Sequence, residues 1–332
     1  MPLLPLLRRR AHVLLAAAAP LLAAVPIGSG PVATAQTGMA PAGAPASACF
    51  GAASRDPARP CHDPKLHLSV FPLPEDAILE PNARCTPVEQ TKVLLPCAFG
   101  VPKEKADEVV ALVGDSHASH WRAAVEGVAQ ERGWRGISIT RSSCPFSRAV
   151  AQLDGRETAR CVIWNRDVQG WFVKHPEIHT VFVSEHSGGK VATAPGAGAQ
   201  ATQIQGYLDA WKALPASVTR ILVIRDTPRD TSGTADCVDK AVAARTPPGP
   251  SCALSRARFL KPDPAALAVR RAASSRVKLI DMSPYMCSKR LCLPVVGGAL
   301  VHRDIDHLTQ TFAATLGPYM ARKVDRLIPG AG

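Results

Sequence analysis

From residue 108 onward the chain repeats one pattern, a short apolar run followed by a longer stretch with helical spacing of its apolar residues. The runs are Val109–Val113, Gly136–Thr140, Thr180–Ser184, Arg220–Arg225 and Val277–Ile280. Helical spacing covers 118–132, 158–174, 201–213 and 264–274 between them, and 308–325 closes the chain. A strand that is apolar on both faces must be covered on both faces, and parallel neighbours need a crossover of a dozen or more residues. The alternation therefore predicts a three-layer α/β/α domain over residues 108–328, built on about five parallel strands. Ligands of such sheets bind outside the carboxyl ends of the strands.

What precedes this domain is of a different kind. Arg8, Arg9 and Arg10 are followed by an apolar stretch from Ala11 to Ile27 and by Ala33-Thr34-Ala35, a small-x-small site. That is the layout of a signal peptide over residues 1–35, and a membrane anchor is the competing reading. Either one places the rest of the chain outside the cytoplasm: secreted, periplasmic or envelope-associated, or tethered at its N-terminus. Residues 36–48 are small and Pro-rich, a linker. Residues 49–107 hold four cysteines and many prolines and read as a disulfide-pinned, loop-rich lead-in without a core of its own.

The ten cysteines fit that compartment, because disulfides persist only in oxidising surroundings. Ten cysteines allow about 945 complete pairings, so spacing cannot fix the connectivity. Nearest-neighbour pairing pins one local loop per bridge and gives Cys49–Cys61, Cys85–Cys97, Cys144–Cys161, Cys237–Cys252 and Cys287–Cys292. With no CxxC pair and no Cys–His cluster at ligand spacing, the sequence offers no structural zinc site, and no metal or cofactor is expected. Removal of the leader takes three arginines and no acids from 39 basic and 27 acidic residues, leaving 36 − 27 = +9. These charges are scattered, whereas nucleic-acid binding wants them clustered, so no nucleic-acid partner is expected.

Two short motifs carry chemistry. Val109–Val113 runs into Gly114-Asp115-Ser116-His117, where a helix pattern begins. A serine at such a strand-to-helix turn is exposed at the sheet edge, and its backbone N–H lies at a helix N-terminus, where developing negative charge is stabilised. Near the far end, Asp304-Ile305-Asp306-His307 precedes the last helix pattern. Asp and His three apart let the carboxylate hold one ring nitrogen while the other faces a serine, the arrangement of acyl transfer. Each motif alone also fits a helix cap, and Asp306 reads as a helix-start residue. Together they stand in the right order.

These strings resemble the SGNH (GDSL-like) hydrolases, and in particular the extracytoplasmic SGNH domain fused to acyltransferase-3 membrane proteins. The resemblance rests on Val113-Gly114-Asp115-Ser116-His117-Ala118 with Trp121, Ser143-Cys144-Pro145, Asp226-Thr227-Pro228-Arg229, Cys287 to Gly298, and Arg303-Asp304 with His307-Leu308-Thr309. It runs from about Cys49 to the C-terminus and implies the flavodoxin-like SGNH hydrolase fold. It also implies a serine-dependent ester hydrolase or O-acyltransferase acting on an acylated cell-envelope glycan or glycolipid. Ser116 would be the nucleophile, His307 the general base and Asp304 its orienter. For the oxyanion hole, the family's glycine position corresponds to the Ser143 region, so the Ser116 and Ser143 N–H groups are the candidates. The family's asparagine has no counterpart, since Ser184-Glu185-His186-Ser187-Gly188 follows the third strand and Asn165 falls in a helix pattern. Loss of one such donor costs about 10²–10³ in turnover.

Around this core, His117, His186 and Arg229 are candidate substrate-facing residues. Trp121 is expected to pack in the core. The Gly188–Gln200 loop reads as an inert surface insertion in preference to a flap. Two other functions compete. A non-catalytic glycan-binding or assembly partner of a separate membrane acyltransferase would keep the fold without the chemistry. A metal-dependent phosphoesterase would read Asp115-Ser116-His117 as DxH, drawing on Glu185, His186 and Asp226 for further ligands.

Overall fold

A computed structural model describes residues 43–193 and 196–330. The leader and most of the linker expected at 1–48 lie outside the described residues.

The centre is a seven-stranded sheet with spatial order β1-β2-β4-β3-β5-β6-β7. Its strands are β1 (Thr86–Pro87), β2 (Cys97–Gly100), β3 (Glu108–Gly114), β4 (Trp134–Thr140), β5 (Ile178–Ser184), β6 (Arg220–Ile224) and β7 (Val277–Ile280). The last five are mutually parallel in the doubly wound arrangement, with β3 at the centre between β4 and β5. The five parallel strands expected from the apolar runs are all present. The two antiparallel edge strands are an addition: β2 pairs with β4 and β1 with β2. Both come from the segment read from sequence as loop-rich. They are short and carry no alternation long enough to register as strands, and only the free edge of β4 makes them so.

The helices alternate with the strands: α1 (Ser116–Glu131), α2 (Arg156–Lys174), α3 (Ala199–Lys212), α4 (Thr234–Ala243), α5 (Pro264–Ala272), α6 (Gln310–Thr315) and α7 (Gly317–Leu327). Side chains along a strand point to alternate faces. Val110 and Leu112 accordingly pack with Trp121, Val125 and Val128 of α1 and with Phe312, Met320 and Val324 of α6 and α7. Ala111 and Val113 pack on the other side with Trp164, Val168 and Phe172 of α2, Tyr207 and Trp211 of α3, and Ala265 of α5. Trp121 is fully buried. Phe50, Ala52, Leu66 and Ala83 of the lead-in belong to the first of these two clusters, so this segment adds to the domain core. The single helix read over 308–325 is two, α6 capped by the Thr309 hydroxyl on the Phe312 N–H and α7 starting at Gly317-Pro318.

Five disulfides join Cys49–Cys61, Cys85–Cys97, Cys144–Cys161, Cys237–Cys252 and Cys287–Cys292. Among the described residues no helix is long and apolar enough to cross a membrane.

Candidate active site

The carboxyl ends of β3, β4 and β5 open into a cleft of about 330 Å³ lined by Ser116, His117, Ser143, His186, Asp306 and His307, among others. At its floor β3 stops at Gly114, whose φ is +145° and where a Cβ would lie 2.0 Å from the Ser184 carbonyl oxygen. Only glycine fits there, and the chain turns at once into α1. Asp115 caps that helix by accepting the His117 N–H (2.8 Å), and its second oxygen accepts the His186 N–H (2.9 Å). One carboxylate thus ties the end of β3 to the end of β5. Burial raises the Asp115 pKa, against the pull of His117 and these two N–H donors.

Ser116 opens α1, so its own N–H is one of the helix's unpaired donors and faces the start of the macrodipole. Its Oγ is 2.9 Å from His307 Nε2. His307 Nδ1 is 2.9 Å from Asp304 Oδ2 and 3.1 Å from Oδ1, and the Asp304 carboxylate also accepts the backbone N–H groups of Asp306 and His307. Ser116 and His307 are 191 positions apart in sequence, a separation closed by the parallel order of the sheet, which brings the loop before α6 back over the end of β3. Burial works against the Asp304 charge, but the His307 ring and those two N–H donors hold its carboxyl well below the usual range.

Asp306 is where the sequence reading needs correction. It does not start a helix; α6 begins four residues later and Thr309 is its cap. Asp306 is 8% exposed and stands 3.2 Å from His307 Nδ1, 2.6 Å from the Arg229 guanidinium and 3.4 Å from His186 Nε2. His307 therefore sits between two carboxylates. Hydrogen bonds to Asp304 and then Asp306 outweigh burial and push its pKa up to about 9. The hydrogen bond from His307 holds the Asp306 carboxyl well below its ordinary value, burial notwithstanding.

The other candidate residues divide between cleft wall and support. His117 is buried, and its Nδ1 is 2.6 Å from Asp226. Burial depresses its pKa, but the attraction and hydrogen bond of Asp226 outweigh that and the net shift is upward. Asp226 is held down to about 2: burial opposes its charge, and His117 and the Ser187 N–H more than offset it. The His186 ring stacks obliquely on His117 at 4.6 Å, and burial lowers its pKa, as does the His117 charge. Arg229 reaches the site through Asp306 and does not line the cleft itself. Glu185 points beneath the cleft, accepting the Phe146 N–H at 2.9 Å, and burial raises its pKa well above the carboxylate range. Of the three further ligands a phosphoesterase reading would draw on, Glu185, His186 and Asp226, only His186 reaches the cleft wall, where it joins the Asp115 and His117 of the DxH.

Ser143 lies on the cleft wall in the left-handed region (φ +60°), and its N–H has no protein partner among the described residues. The loop carrying it is anchored by the Cys144–Cys161 bridge and by Asn165, whose side chain donates to the Pro145 carbonyl (3.0 Å) and accepts the Ser147 N–H (3.0 Å). The loop after β5 also departs from the sequence reading. Gly189, Lys190 and Val191 form part of the cleft wall, Val191 bridges to Ala151, and Gln203 holds the Gly189 carbonyl at 2.6 Å. Its Gly/Ala/Pro composition matches any surface insertion, and only its pairing with the 147–153 segment makes it a wall.

A doubly wound sheet with Ser, His and Asp aligned at its carboxyl edge defines a serine-hydrolase-like α/β protein. The chain belongs to the SGNH domain family (fused to AT3 domains), whose profile matches residues 84–322. Among solved structures it is similar to the periplasmic domain of a lipopolysaccharide acetyltransferase from Salmonella ser. Paratyphi A. That similarity has 14% identity and a TM-score of 0.52, covering 68% of this chain and 90% of that one. At this identity it shows a shared fold. Carboxyl esterase 2 from the mycorrhizal fungus Tuber melanosporum aligns at 10% identity over 78% of this chain and 92% of its own, with a TM-score of 0.30. No curated protein sequence matches. Family membership supports acyl-ester hydrolase or acyltransferase chemistry, and the five disulfides indicate an extracytoplasmic location.

Proposed function

We propose that this protein is an extracytoplasmic serine-dependent acyl ester hydrolase or O-acyltransferase that acts on an acylated cell-envelope glycan or glycolipid. The observation that carries this reading is the unbroken chain Ser116 Oγ–His307 Nε2 (2.9 Å) and His307 Nδ1–Asp304 (2.9 Å) at the mouth of a cleft. Ser116 attacks the ester carbonyl while neutral His307 takes its proton, and Asp304 fixes the ring so that Nε2 faces the serine. The oxyanion of the tetrahedral intermediate is met by the Ser116 N–H at the helix N-terminus and by the free Ser143 N–H. As the intermediate collapses, the imidazolium of His307 gives its proton to the departing sugar oxygen, which leaves as a hydroxyl, and the acyl group stays on Ser116. Discharge to water is hydrolysis; discharge to a second sugar hydroxyl is transfer.

The glycan assignment rests on the family, and the Salmonella neighbour, the periplasmic domain of a lipopolysaccharide acetyltransferase, is in keeping with it. A membrane acyltransferase as donor partner is part of the same proposal. The test is hydrolysis of a short-chain aryl acetate by the mature chain, compared with Ser116→Ala and His307→Ala. Both variants should lose at least about 10³ of kcat/KM. Equal rates for the three proteins would leave the fold as a binding module. Unchanged activity after EDTA treatment separates the serine mechanism from a metal-dependent phosphoesterase.

A further inference from the structure

We propose that His117, His186 and Asp306 form a binding site for one borderline divalent cation, Zn²⁺ being the best fit, in the cleft wall beside Ser116. Each of the three offers a ligand atom, and these atoms lie within 4.8 Å of one another. His186 Nε2 and Asp306 Oδ2 are already 3.4 Å apart. Two ligands at 2.0–2.1 Å in a tetrahedral zinc shell are separated by about 3.3–3.4 Å, so this edge of the site needs no rearrangement.

Three further observations point the same way. Among the described residues His186 Nε2 is a buried polar atom with no hydrogen bond, its ion-pair neighbour Asp306 Oδ2 standing off at 3.4 Å, a state that natural sites seldom leave unexplained. His117 presents one nitrogen to Asp226 at 2.6 Å, which orients the ring and leaves the other nitrogen without a protein partner among the described residues. A carboxylate behind a histidine is the usual outer support of a metal ligand. Finally, a Cβ on Gly188 would lie 3.0 Å from both His186 Nε2 and the Arg229 guanidinium, so glycine there keeps side-chain bulk away from the ring nitrogen. Arg229 occupies one lone pair of Asp306 Oδ2 at 2.6 Å, and the cation would take another. Two imidazoles and one carboxylate suit zinc and disfavour Mg²⁺ or Ca²⁺, which prefer all-oxygen shells. The fourth position opens to the cleft. None of this depends on Ser116 being a nucleophile.

The experiment is calorimetric titration of Zn²⁺ into the chelator-stripped mature chain, with Co²⁺ followed by its visible absorption. Wild type should bind one equivalent saturably, and Co²⁺ should give the intense bands of a four-coordinate site. His186→Ala and, as a milder replacement, His186→Gln should each weaken binding at least about 30-fold, since losing a direct ligand costs no less than the 10–100-fold typical of outer-shell partners, while circular dichroism stays unchanged. Asp306→Asn should weaken it as well, and Ser116→Ala should bind as wild type does. Absence of saturable binding overturns the proposal. So does equal affinity in the His186 and Asp306 variants, which would place the ion on other histidines. Because Ser116→Ala is judged by binding alone, a wild type that binds zinc but cleaves no ester would refute the proposed function and leave this site standing.

Discussion

Asp306→Asn gives the sharpest test of how the site is tuned. His307 is raised from 6.5 to about 9 by two carboxylates on one ring nitrogen. A base with a pKa near 9 is neutral in only about 1% of molecules at pH 7, and it is the neutral form that accepts the Ser116 proton. Asp304 is the nearer partner of that nitrogen (2.9 Å) and Asp306 the second (3.2 Å). If Asp306 supplies somewhat less than half, its removal lowers the pKa by roughly 1, since each unit corresponds to about 1.4 kcal/mol of differential interaction. The Arg229 charge left behind pushes in the same direction. Asparagine is isosteric and leaves the Asp304–His307–Ser116 chain intact. The expected result is an acid limb of kcat/KM displaced downward by about one pH unit and a rate at pH 7 up to about tenfold higher, measured as aryl acetate hydrolysis from pH 5 to 10. The limb reports a raised histidine, so wild-type activity should climb with pH toward about 9. An unmoved limb would refute the argument that Asp306 sets the basicity of His307. A fall of more than about 10² on the alkaline plateau would refute it differently, by showing that Asp306 positions the ring.

Other consequences can be checked in parallel. Breaking the Cys144–Cys161 bridge with paired alanines should lower kcat/KM at least tenfold while circular dichroism stays native, because the bridge anchors the loop bearing Ser143 (about 3 kcal/mol for a loop near this length); full activity would dissociate that loop from catalysis. Asp226→Asn leaves His117 buried without its counter-charge and should cost roughly 3–5 kcal/mol in urea unfolding, and a loss under about 1 kcal/mol would refute the pairing. The same pair has a pH signature. Asp226 falls from 3.8 to about 2 on folding, so its stabilisation is complete above 3.8 and disappears as pH drops through about 2; unfolding midpoints should decline over that window in wild type and much less in the variant. Gly114→Ala combines a left-handed φ with a Cβ driven onto the Ser184 carbonyl, and should destabilise by at least about 3 kcal/mol in the same assay.

Much of the frame was legible because it is written in local chemistry. Five apolar runs became β3 to β7, since a strand buried on both faces needs continuous apolar residues whatever surrounds it. Gly114-Asp115-Ser116 and Asp304 to His307 were legible as motifs because a turn glycine, a cap and a carboxylate–histidine spacing act within a few residues. Nearest-neighbour cysteines ended up paired for a similar reason, as each bridge spans a short loop. What the sequence hid is the company these residues keep. Asp306 looks like a cap, and its role follows from Arg229, 77 residues away, meeting it at 2.6 Å. Thr86–Pro87 and Cys97–Gly100 are strands only because β4 offers an unpaired edge.

The sequence by itself determined that a serine would stand at the end of a buried strand and an Asp–His pair before the last helices. The tertiary structure alone decided that His307 lies between two carboxylates, that His117, His186 and Asp306 converge, and that Gly189, Lys190 and Val191 wall the cleft. The physical reason is one of range. Strand burial, caps and turns are settled by neighbours along the chain, whereas proton affinity and ligand geometry depend on charges a few ångströms apart in space and scores of residues apart in sequence.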